Sequence, residues 1–252
     1  MKDGDASCTA SEAEDSASVR MELFGGFGMV VSGRQVVVPH SGQRVLAYLA
    51  LRSRPVQRLH LAGVLWPDSD EEAARASLRS ALWRVPARRK VLGGDNLQVT
   101  LADRVALDVR ELEVAARQVL SGSGDAGVVD ALHIGFSRGD LLSDWYDDWV
   151  LVERERLRHL RLHALEAACE RLSALGRYAD AVAAGLEAVA MEPLRESAHR
   201  ALIQAHLREG NRWEALRQLR ACEATLVSEL GIECSPMLRA LVDGREMPVT
   251  AA

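Results

Sequence analysis

Cationic side chains are concentrated in one short stretch of the chain, "SLRSALWRVPARRKVLGG" (77–94). This stretch and the turn before it carry six of them: Arg75, Arg79, Arg84, Arg88, Arg89 and Lys90. Arginine forms paired hydrogen bonds with the O6 and N7 atoms of guanine and also binds phosphate, and serine binds base edges or phosphate. These residue types therefore indicate contact with a nucleic acid.

Other side chains with chemical potential lack the spacing that catalysis or metal binding needs. Asp147 and Asp148 are consecutive, so they do not face each other on a helix and indicate a solvated face or a partner contact. His159 and His163 have the i, i+4 spacing of metal ligands, but the sequence has neither an H-E-x-x-H pattern nor a clear third ligand. Gly93-Gly94 is interpreted as a turn before a strand. We expect no catalytic residues, no metal, no cofactor and no enzymatic activity.

A helical projection of the arginine-rich stretch separates a core stripe from an exposed face. The core stripe consists of Ala74, Leu78, Ala81, Leu82 and Val85. The opposite face and its shoulders consist of Ala76, Ser77, Arg79, Ser80, Trp83 and Arg84. Small or polar residues with arginines along the edges are what a helix entering a major groove needs. The alternative is a solvated basic surface helix.

Trp83 has two interpretations. An exposed tryptophan could stack on a sugar or on a partner, and it could also pack under the hairpin that follows. We favour packing under the hairpin, because buried apolar area stabilises an indole side chain.

The net charge of −5 hides a division along the chain. Residues 1–19 carry a net charge of −4, residues 20–107 carry +6, and residues 108–252 carry −7. A basic module followed by an acidic one is typical of a nucleic-acid-binding protein with a separate protein-contacting domain.

The elements of the first module have the order of a winged helix-turn-helix. Short strands are predicted at 20–25, 28–32 and 34–39, helices at 41–54, about 58–66 and from the Asp68–Asp70 turn to about 85, and two strands within 96–109. Pro55, Pro67 and Pro86 end the three helices. The last two strands are predicted to pair around Ala102-Asp103 as a hairpin, the wing, with Arg104 near its tip.

The second module is predicted to be all helical. Helices are expected at 109–120, after the "SGSGDAG" break at 121–127, and along 144–175. "GRYADAV" (176–182) and "GNRWEAL" (210–216) lie 34 positions apart, the period of tetratricopeptide helix pairs. The fold class is therefore mainly α with a small β component: an N-terminal winged helix-turn-helix, then an all-α tetratricopeptide-like domain.

The terminal segments and the cysteines indicate the cellular compartment of the protein. Residues 1–19 and 247–252 are expected to be tails, the first acidic and disordered. No apolar run approaches the roughly 20 residues that cross a bilayer, and the start lacks a signal-peptide core. Four cysteines without C-x-x-C spacing favour free thiols. We expect a cytoplasmic, nucleoid-associated protein without membrane contact.

Residues 20–107 resemble the OmpR-type winged-helix domain through "RVLAYLAL", "LHLAGVLWP" and "ARASLRSALWR". Residues 108–246 resemble the bacterial transcriptional activation domain through "GDLLSDWYDDWVLVERERLRHLRLHALEA", "GRYADAV", "EPLRESAHRALIQAHLREGNRWEALR" and "ELGIECSP". The whole chain resembles a small, stand-alone member of the Streptomyces antibiotic regulatory protein family. It departs from that family at Pro86, where the helix usually continues with further basic residues, and it has no phosphate-binding G-x-x-x-x-G-K-[ST] loop, so we expect no ATPase module.

This resemblance implies an activator of a secondary-metabolite (antibiotic) gene cluster. It implies binding to direct repeats in double-stranded promoter DNA near the −35 element, as a head-to-tail homodimer, and recruitment of RNA polymerase holoenzyme through its sigma, alpha and beta subunits. The implied base-facing residues are Ser77, Arg79, Ser80 and Arg84. The implied phosphate or wing contacts are Arg75, Arg88 and Arg104.

A second class of function stays open at this point. The tetratricopeptide-like domain could serve a protein-interaction scaffold whose winged helix does not bind DNA. Such a scaffold has no need for Arg79 and Arg84 beside small residues, so its binding would be insensitive to their loss.

Overall fold

The computed structural model describes residues 18–123, 127, 129 and 139–243. The chain forms two compact units. The first unit comprises Met1–Glu111 and Arg138–Arg154, and the second comprises Leu112–Ser137 and Glu155–Ala252. The first unit is therefore discontinuous in sequence.

The first unit begins with a small sheet. Its strands are β1 (Val19–Glu22), β2 (Gly28–Val31), β3 (Arg34–Gln35) and a late strand at Val105–Leu107, in the order β3-β2-β1-late strand. β1 pairs antiparallel with β2 and parallel with the late strand, which is β7 in chain order. The third predicted strand is shorter than expected: β3 ends at Gln35, and Val37 beyond it is 90% exposed. The buried side chains of β1 alternate along the strand, as a sheet with one packed face requires.

Three helices follow this part of the chain, and they confirm the predicted helical order. The helices are α1 (His40–Ala50), α2 (Arg58–Leu65) and α3 (Glu71–Trp83). Leu46 and Leu49 of α1 and Leu61 and Leu65 of α2 are buried. α1 ends at Ala50, earlier than predicted, so Pro55 lies beyond the helix end. A one-turn helix, α4 (Arg88–Val91), follows Pro86.

The wing is a different hairpin from the predicted one. It consists of β5 (Leu92–Gly94) and β6 (Gln98–Leu101), which pair antiparallel, with the short β4 (Val56–Gln57) on the other side of β6. The strand expected to complete the hairpin is β7, and it pairs with β1 in the other sheet. The prediction of pairing around Ala102-Asp103 was wrong because strand periodicity indicates a strand without indicating its partner.

Gly94 makes this hairpin possible. Its φ of +108° lies in the region that favours glycine, and an added Cβ would lie 2.4 Å from the Gln98 carbonyl oxygen. Gly93 and Gly94 thus belong to β5, instead of forming a turn before a strand.

Residues 139–154 belong to the first unit. The Leu142 N–H donates to the Leu23 carbonyl, and the Gly25 N–H donates to the Asp140 carbonyl, both at 2.8 Å. The Arg154 guanidinium donates to three carbonyl oxygens of this segment, those of Leu141, Leu142 and Trp145. The helix predicted from residue 144 starts at 148, since the preceding residues form this irregular, carbonyl-bonded segment.

The second unit is helical. The helices that contribute to it are α5 (Asp108–Leu120), α6 (Asp148–Ala174), α7 (Tyr178–Met191), α8 (Glu196–Glu209), α9 (Arg212–Leu230) and α10 (Pro236–Asp243). The 34-residue repeat is confirmed: Gly176 and Gly210 precede α7 and α9 with positive φ, and the matched residues Ala181, Ala215, Ala188 and Cys222 are fully buried. Small residues allow the helices to approach closely; a Cβ at Gly185 would lie 3.1 Å from atoms of Cys169 on α6 and Leu202 on α8.

The fold class predicted from the sequence is confirmed. Three predicted regions lie wholly or largely outside the described residues. They are much of the "SGSGDAG" break, most of the helix expected after it, and both predicted tails apart from Ser18 and Val19. Val19 belongs to β1. Among the described helices, none is long and apolar enough to cross a lipid bilayer.

Candidate nucleic-acid interface

The central element of the candidate interface is α3. Asp70 caps its N-terminus by accepting the Ala73 N–H at 2.8 Å, and Glu71 and Glu72 occupy its first turn, where the helix dipole favours acids. The predicted core stripe, Ala74, Leu78, Ala81, Leu82 and Val85, is buried. The helix ends at Trp83, with Arg84 as its C-cap. Packing thus fixes which face of α3 is free for contact.

The free face carries the residues that sequence analysis assigned to bases. Arg79, Ser80 and Arg84 are exposed and Ser77 is half-buried. The Arg84 Nη2 donates to the Ser80 Oγ at 3.0 Å, so these two side chains form a local pair along the helix. A guanidinium held in this way retains further N–H donors for a ligand.

A groove of about 770 Å³ lies between α3 and the wing, and we call it the helix–wing groove. Its lining residues are Gln57, Arg58, Leu59, Arg75, Leu78, Arg79, Leu82, Trp83, Arg88, Asn96, Leu97 and Gln98. It brings together Arg75, Arg79 and Arg88 of the predicted set. Ser77, Ser80 and Arg84 do not line it.

The arginines of the groove differ in their partners. Arg75 forms an ion pair of 3.3 Å with Glu71, and both side chains are largely exposed, so the pair is weak and open to competition by phosphate. Among the described residues, neither Arg79 nor Arg88 has a carboxylate partner. The groove therefore offers cationic groups whose charge is not already neutralised.

The wing tip, Asp95–Leu97, is fixed by hydrogen bonds. The Asp95 carboxylate accepts the N–H groups of Gln98 and Leu97, both at 2.8 Å, and these bonds hold the pKa of that carboxyl below its usual range. The Arg58 Nε donates to the Asp95 carbonyl at 2.9 Å, and the Arg58 N–H donates to the Leu97 carbonyl at 2.9 Å. Sequence analysis missed this tip, although Asp-Asn after Gly-Gly is a turn signal.

Arg104 does not lie near the wing tip. It follows β6 at the end away from Asp95–Leu97, and its Nε and Nη2 donate to the Lys90 and Arg89 carbonyls, each at 3.2 Å. The predicted position was wrong because the assumed turn at Ala102-Asp103 is not the wing turn. Arg104 instead joins the end of the wing to the short α4 helix.

Trp83 is 78% exposed, so the prediction that it packs under a hairpin was wrong. The helical projection placed Trp83 opposite the core stripe, and the exposure of its side chain agrees with that placement.

The other candidate residues have structural partners. Asp147 forms an ion pair with Arg44, and the His159 Nε2 lies 2.9 Å from the Glu155 Oε1. Within the described residues, no group of three or more His, Cys, Asp and Glu side chains is arranged to hold a metal ion.

The three cysteines that the structure describes, Cys169, Cys222 and Cys234, are free thiols, in agreement with the prediction, and all three are buried. Burial raises the pKa of the Cys169 thiol to about 12 and that of Cys222 to about 11. Since the thiolate is the reactive form, these residues are unsuited to nucleophilic chemistry.

Comparison with known proteins gives one family match and several relatives. The profile of the bacterial transcriptional activator domain matches residues 107–244. The chain is 30% identical to the transcriptional regulatory protein EmbR of Mycobacterium tuberculosis over 91% of its own length and 64% of that protein. It is 28% identical to the regulatory protein AfsR of Streptomyces coelicolor over 92% of its own length and 24% of that protein.

A solved structure of one of these relatives has a similar fold. M. tuberculosis EmbR in complex with a low-affinity phosphopeptide superimposes with a TM-score of 0.75 at 25% identity, covering 92% of this chain and 67% of that one. The chain thus spans about two thirds of the length of EmbR and a much smaller share of AfsR.

Proposed function

The chain belongs to the bacterial transcriptional activator domain family and is a transcriptional regulator of the Streptomyces antibiotic regulatory type, and from this premise we propose that it activates promoters by sequence-specific binding of their DNA. The observation that carries the proposal is the free face of α3 beside the helix–wing groove. Arg79 and Arg88 there lack carboxylate partners among the described residues, and polyanionic DNA supplies the missing charge.

Individual roles follow from position on α3 and around it. Ser77, Arg79, Ser80 and Arg84 contact base edges in the major groove, and Arg75 and Arg88 contact phosphates. Arg104 acts indirectly, since it joins the wing to α4. In this proposal residues 20–107 form the DNA-binding domain, and residues 108–246 form the activation domain.

The proposal extends to the promoter. Two copies bind direct repeats near the −35 element, head to tail, and recruit RNA polymerase holoenzyme through its sigma, alpha and beta subunits. The regulated genes form a secondary-metabolite cluster, and the protein acts in the cytoplasm. The support for these points is the relationship to EmbR and AfsR, which are named as regulatory proteins.

The test is a mobility-shift titration of purified protein on its own upstream region and neighbouring promoters, with excess random duplex and at two salt concentrations. We expect a discrete shift that survives the competitor and weakens with salt, because phosphate contacts release counterions. A footprint then locates the repeats. Loss of the shift in random competitor would contradict sequence-specific binding and favour the scaffold alternative, which a pull-down with residues 108–246 as bait then tests.

A further inference from the structure

The first unit has a second cavity, which we call the turn cavity. It has a volume of about 720 Å³ and lies between the turn Trp66–Ser69, which follows α2, and residues 146–149. Its described lining residues are all different from those of the helix–wing groove. Small-molecule sites typically have volumes of about 300–1,000 Å³, so the turn cavity has the size of a ligand site that the proposed DNA contacts do not use.

Aromatic residues form the walls of the turn cavity. Trp66, Tyr146 and Trp149 line it, and Tyr146 is 80% exposed. The Trp149 ring packs edge-on against Tyr48 and Trp145, with ring centroids 5.2 Å and 6.2 Å apart. Trp66 is the C-cap residue of α2, which fixes its backbone. Two of the three aromatic residues are thereby held in place before a ligand binds.

The charged residues of the turn cavity leave an excess of negative charge. Three carboxylates line it, those of Asp68, Asp147 and Asp148. Arg44 is the only basic residue among the described residues of the lining, and it is paired with Asp147, whose Oδ1 accepts from the Arg44 Nε at 3.1 Å. Within the described part of the chain, Asp68 and Asp148 have no basic partner. Exposed carboxylates beside aromatic rings suit a cation, because the face of an aromatic ring attracts positive charge.

The turn cavity also has a hydrogen-bond donor that lacks an acceptor. The Trp149 Nε1 is buried and has no hydrogen-bond partner among the residues that the structure describes. Since buried polar groups in proteins are almost always paired, an unpaired indole N–H on a cavity-lining residue indicates that a further acceptor binds there. A ligand with an oxygen close to its cationic group meets both requirements.

We propose that the turn cavity binds a small organic ammonium ion that carries an oxygen acceptor. The cation lies against the aromatic rings and beside Asp68 and Asp148, and the oxygen accepts from the Trp149 indole N–H. This site is separate from the DNA contacts of the proposed function and does not depend on them. The turn that lines it leads into Asp70, the N-cap of α3, so the ligand lies close to the start of that helix.

The test uses choline as the probe, because it has a quaternary ammonium group and a hydroxyl, and dimethylbutanol as its neutral counterpart of nearly the same shape. The full chain is titrated without DNA at constant ionic strength, and NMR follows the indole N–H signals. Choline should shift the signals of Trp66 and Trp149 with a dissociation constant of about 1 mM, as expected for a ligand of few atoms. Trp83 and Trp213, which are exposed outside the cavity, should not respond. Dimethylbutanol should bind about tenfold more weakly, because it has no charge.

Variants separate the contribution of the charge from that of the ring. Asp68→Asn should weaken choline binding about threefold to tenfold, and it is preferred to a change at Asp148, which begins α6 and also interacts with the dipole of that helix. Tyr146→Ala should cause a similar loss, whereas Tyr146→Phe should retain the wild-type affinity because it keeps an aromatic face. Asp103→Asn is the matched control, since Asp103 is an exposed aspartate of the same unit outside the turn cavity. Unchanged thermal melting shows that each variant folds.

Three results would each overturn the ammonium site. The first is the absence of choline-dependent shifts at Trp66 and Trp149 at concentrations far above the expected dissociation constant. The second is equal affinity for choline and dimethylbutanol, which would mean that the cavity takes apolar groups. The third is wild-type choline affinity in both Asp68→Asn and Tyr146→Ala, which would place choline elsewhere. Because the titration contains no DNA, its result is independent of the mobility-shift test of the proposed function.

Discussion

Arg84 combines two features that matter for a base contact. It lies at the C-cap of α3, where its positive charge is favoured by the carbonyl end of the helix, and its guanidinium is oriented by Ser80. An arginine held in one rotamer loses less conformational entropy on binding a guanine than a free one does. The residue type and its exposed position followed from the sequence, whereas the hydrogen bond to Ser80 required the structure.

Arg84→Ala should reduce operator affinity about tenfold to a hundredfold and random-duplex affinity much less, because a bidentate base contact contributes about 1–3 kcal/mol of discrimination. Mobility-shift titration on both duplexes measures the ratio. Arg34→Ala is the matched control, since Arg34 is an exposed arginine on β3 outside the helix–wing groove. Equal losses on the two duplexes would show that Arg84 contacts phosphate.

His199 is the titratable group through which the second unit should respond to pH. Its Nε2 lies 3.0 Å from the Pro193 carbonyl and its Nδ1 2.8 Å from the Gln218 side-chain nitrogen, so the neutral ring donates to one and accepts from the other. Burial lowers the pKa of His199 below the usual 6.5, against smaller opposing effects of the Pro193 carbonyl and Glu196. A protonated ring could no longer accept from Gln218.

The unfolded state therefore binds the His199 proton at a higher pH than the folded state does. The free energy of unfolding should fall as the pH drops below 6.5 towards the lowered folded-state pKa, and His199→Gln should reduce this dependence. Urea unfolding at about pH 7.5 and about pH 5.5 measures it. Equal slopes in wild type and His199→Gln would contradict the assignment.

At the scale of elements, helices were predictable and strand pairing was not. The core stripe and cap of α3 are local signals, and the structure reproduces them at Leu78, Leu82 and Asp70. The run 96–109 correctly indicated two strands, but their partners, β5 and β1, lie outside that run. The wing tip and the apolar part of the groove consequently could not be derived, because both depend on which strands pair.

Gly94→Ala tests the wing as an element. A Cβ at this position would meet the Gln98 carbonyl at 2.4 Å, so the β5–β6 hairpin must distort. Affinity for operator and random duplex should both fall, since the wing tip then loses its position. The rest of the fold should remain, as judged by circular dichroism. Gly63→Ala on α2 is the control, because a Cβ there meets no atom within 4 Å; a variant Gly94→Ala with wild-type binding would exclude a role for the wing.

At the scale of the whole molecule, charge and periodicity along the sequence predict two modules, at 20–107 and 108–246, and this division stays a prediction. The discontinuity of the first unit was not predictable. Residues 139–154 carry no pattern that marks them as partners of the chain after β1, where the Leu142 N–H donates to the Leu23 carbonyl and the Gly25 N–H donates to the Asp140 carbonyl. Backbone pairing of this kind is nearly independent of side-chain type.

Native-state hydrogen exchange of the full chain should detect this discontinuity. The amide hydrogens of Gly25 and Leu142, each bonded at 2.8 Å to a carbonyl of the other segment, should exchange with the same protection as those of β1. Arg154→Ala removes the donor to three carbonyls of the segment and should lower the protection of both amides together. Protection of Gly25 that persists while Leu142 exchanges freely would show that the segment opens on its own.

The discontinuity also sets an order of events during protein synthesis. A ribosome that has released residue 111 has delivered every residue of the helix–wing groove, but the first unit is completed only when residues 138–154 have emerged. At about 5–20 residues per second, the stretch from 112 to 154 takes about 2 to 9 s to translate. During that interval the Leu23 carbonyl and the Gly25 N–H lack the partners that residues 139–154 supply, so a pause in translation between these positions prolongs the period in which the unfinished unit is open to misfolding.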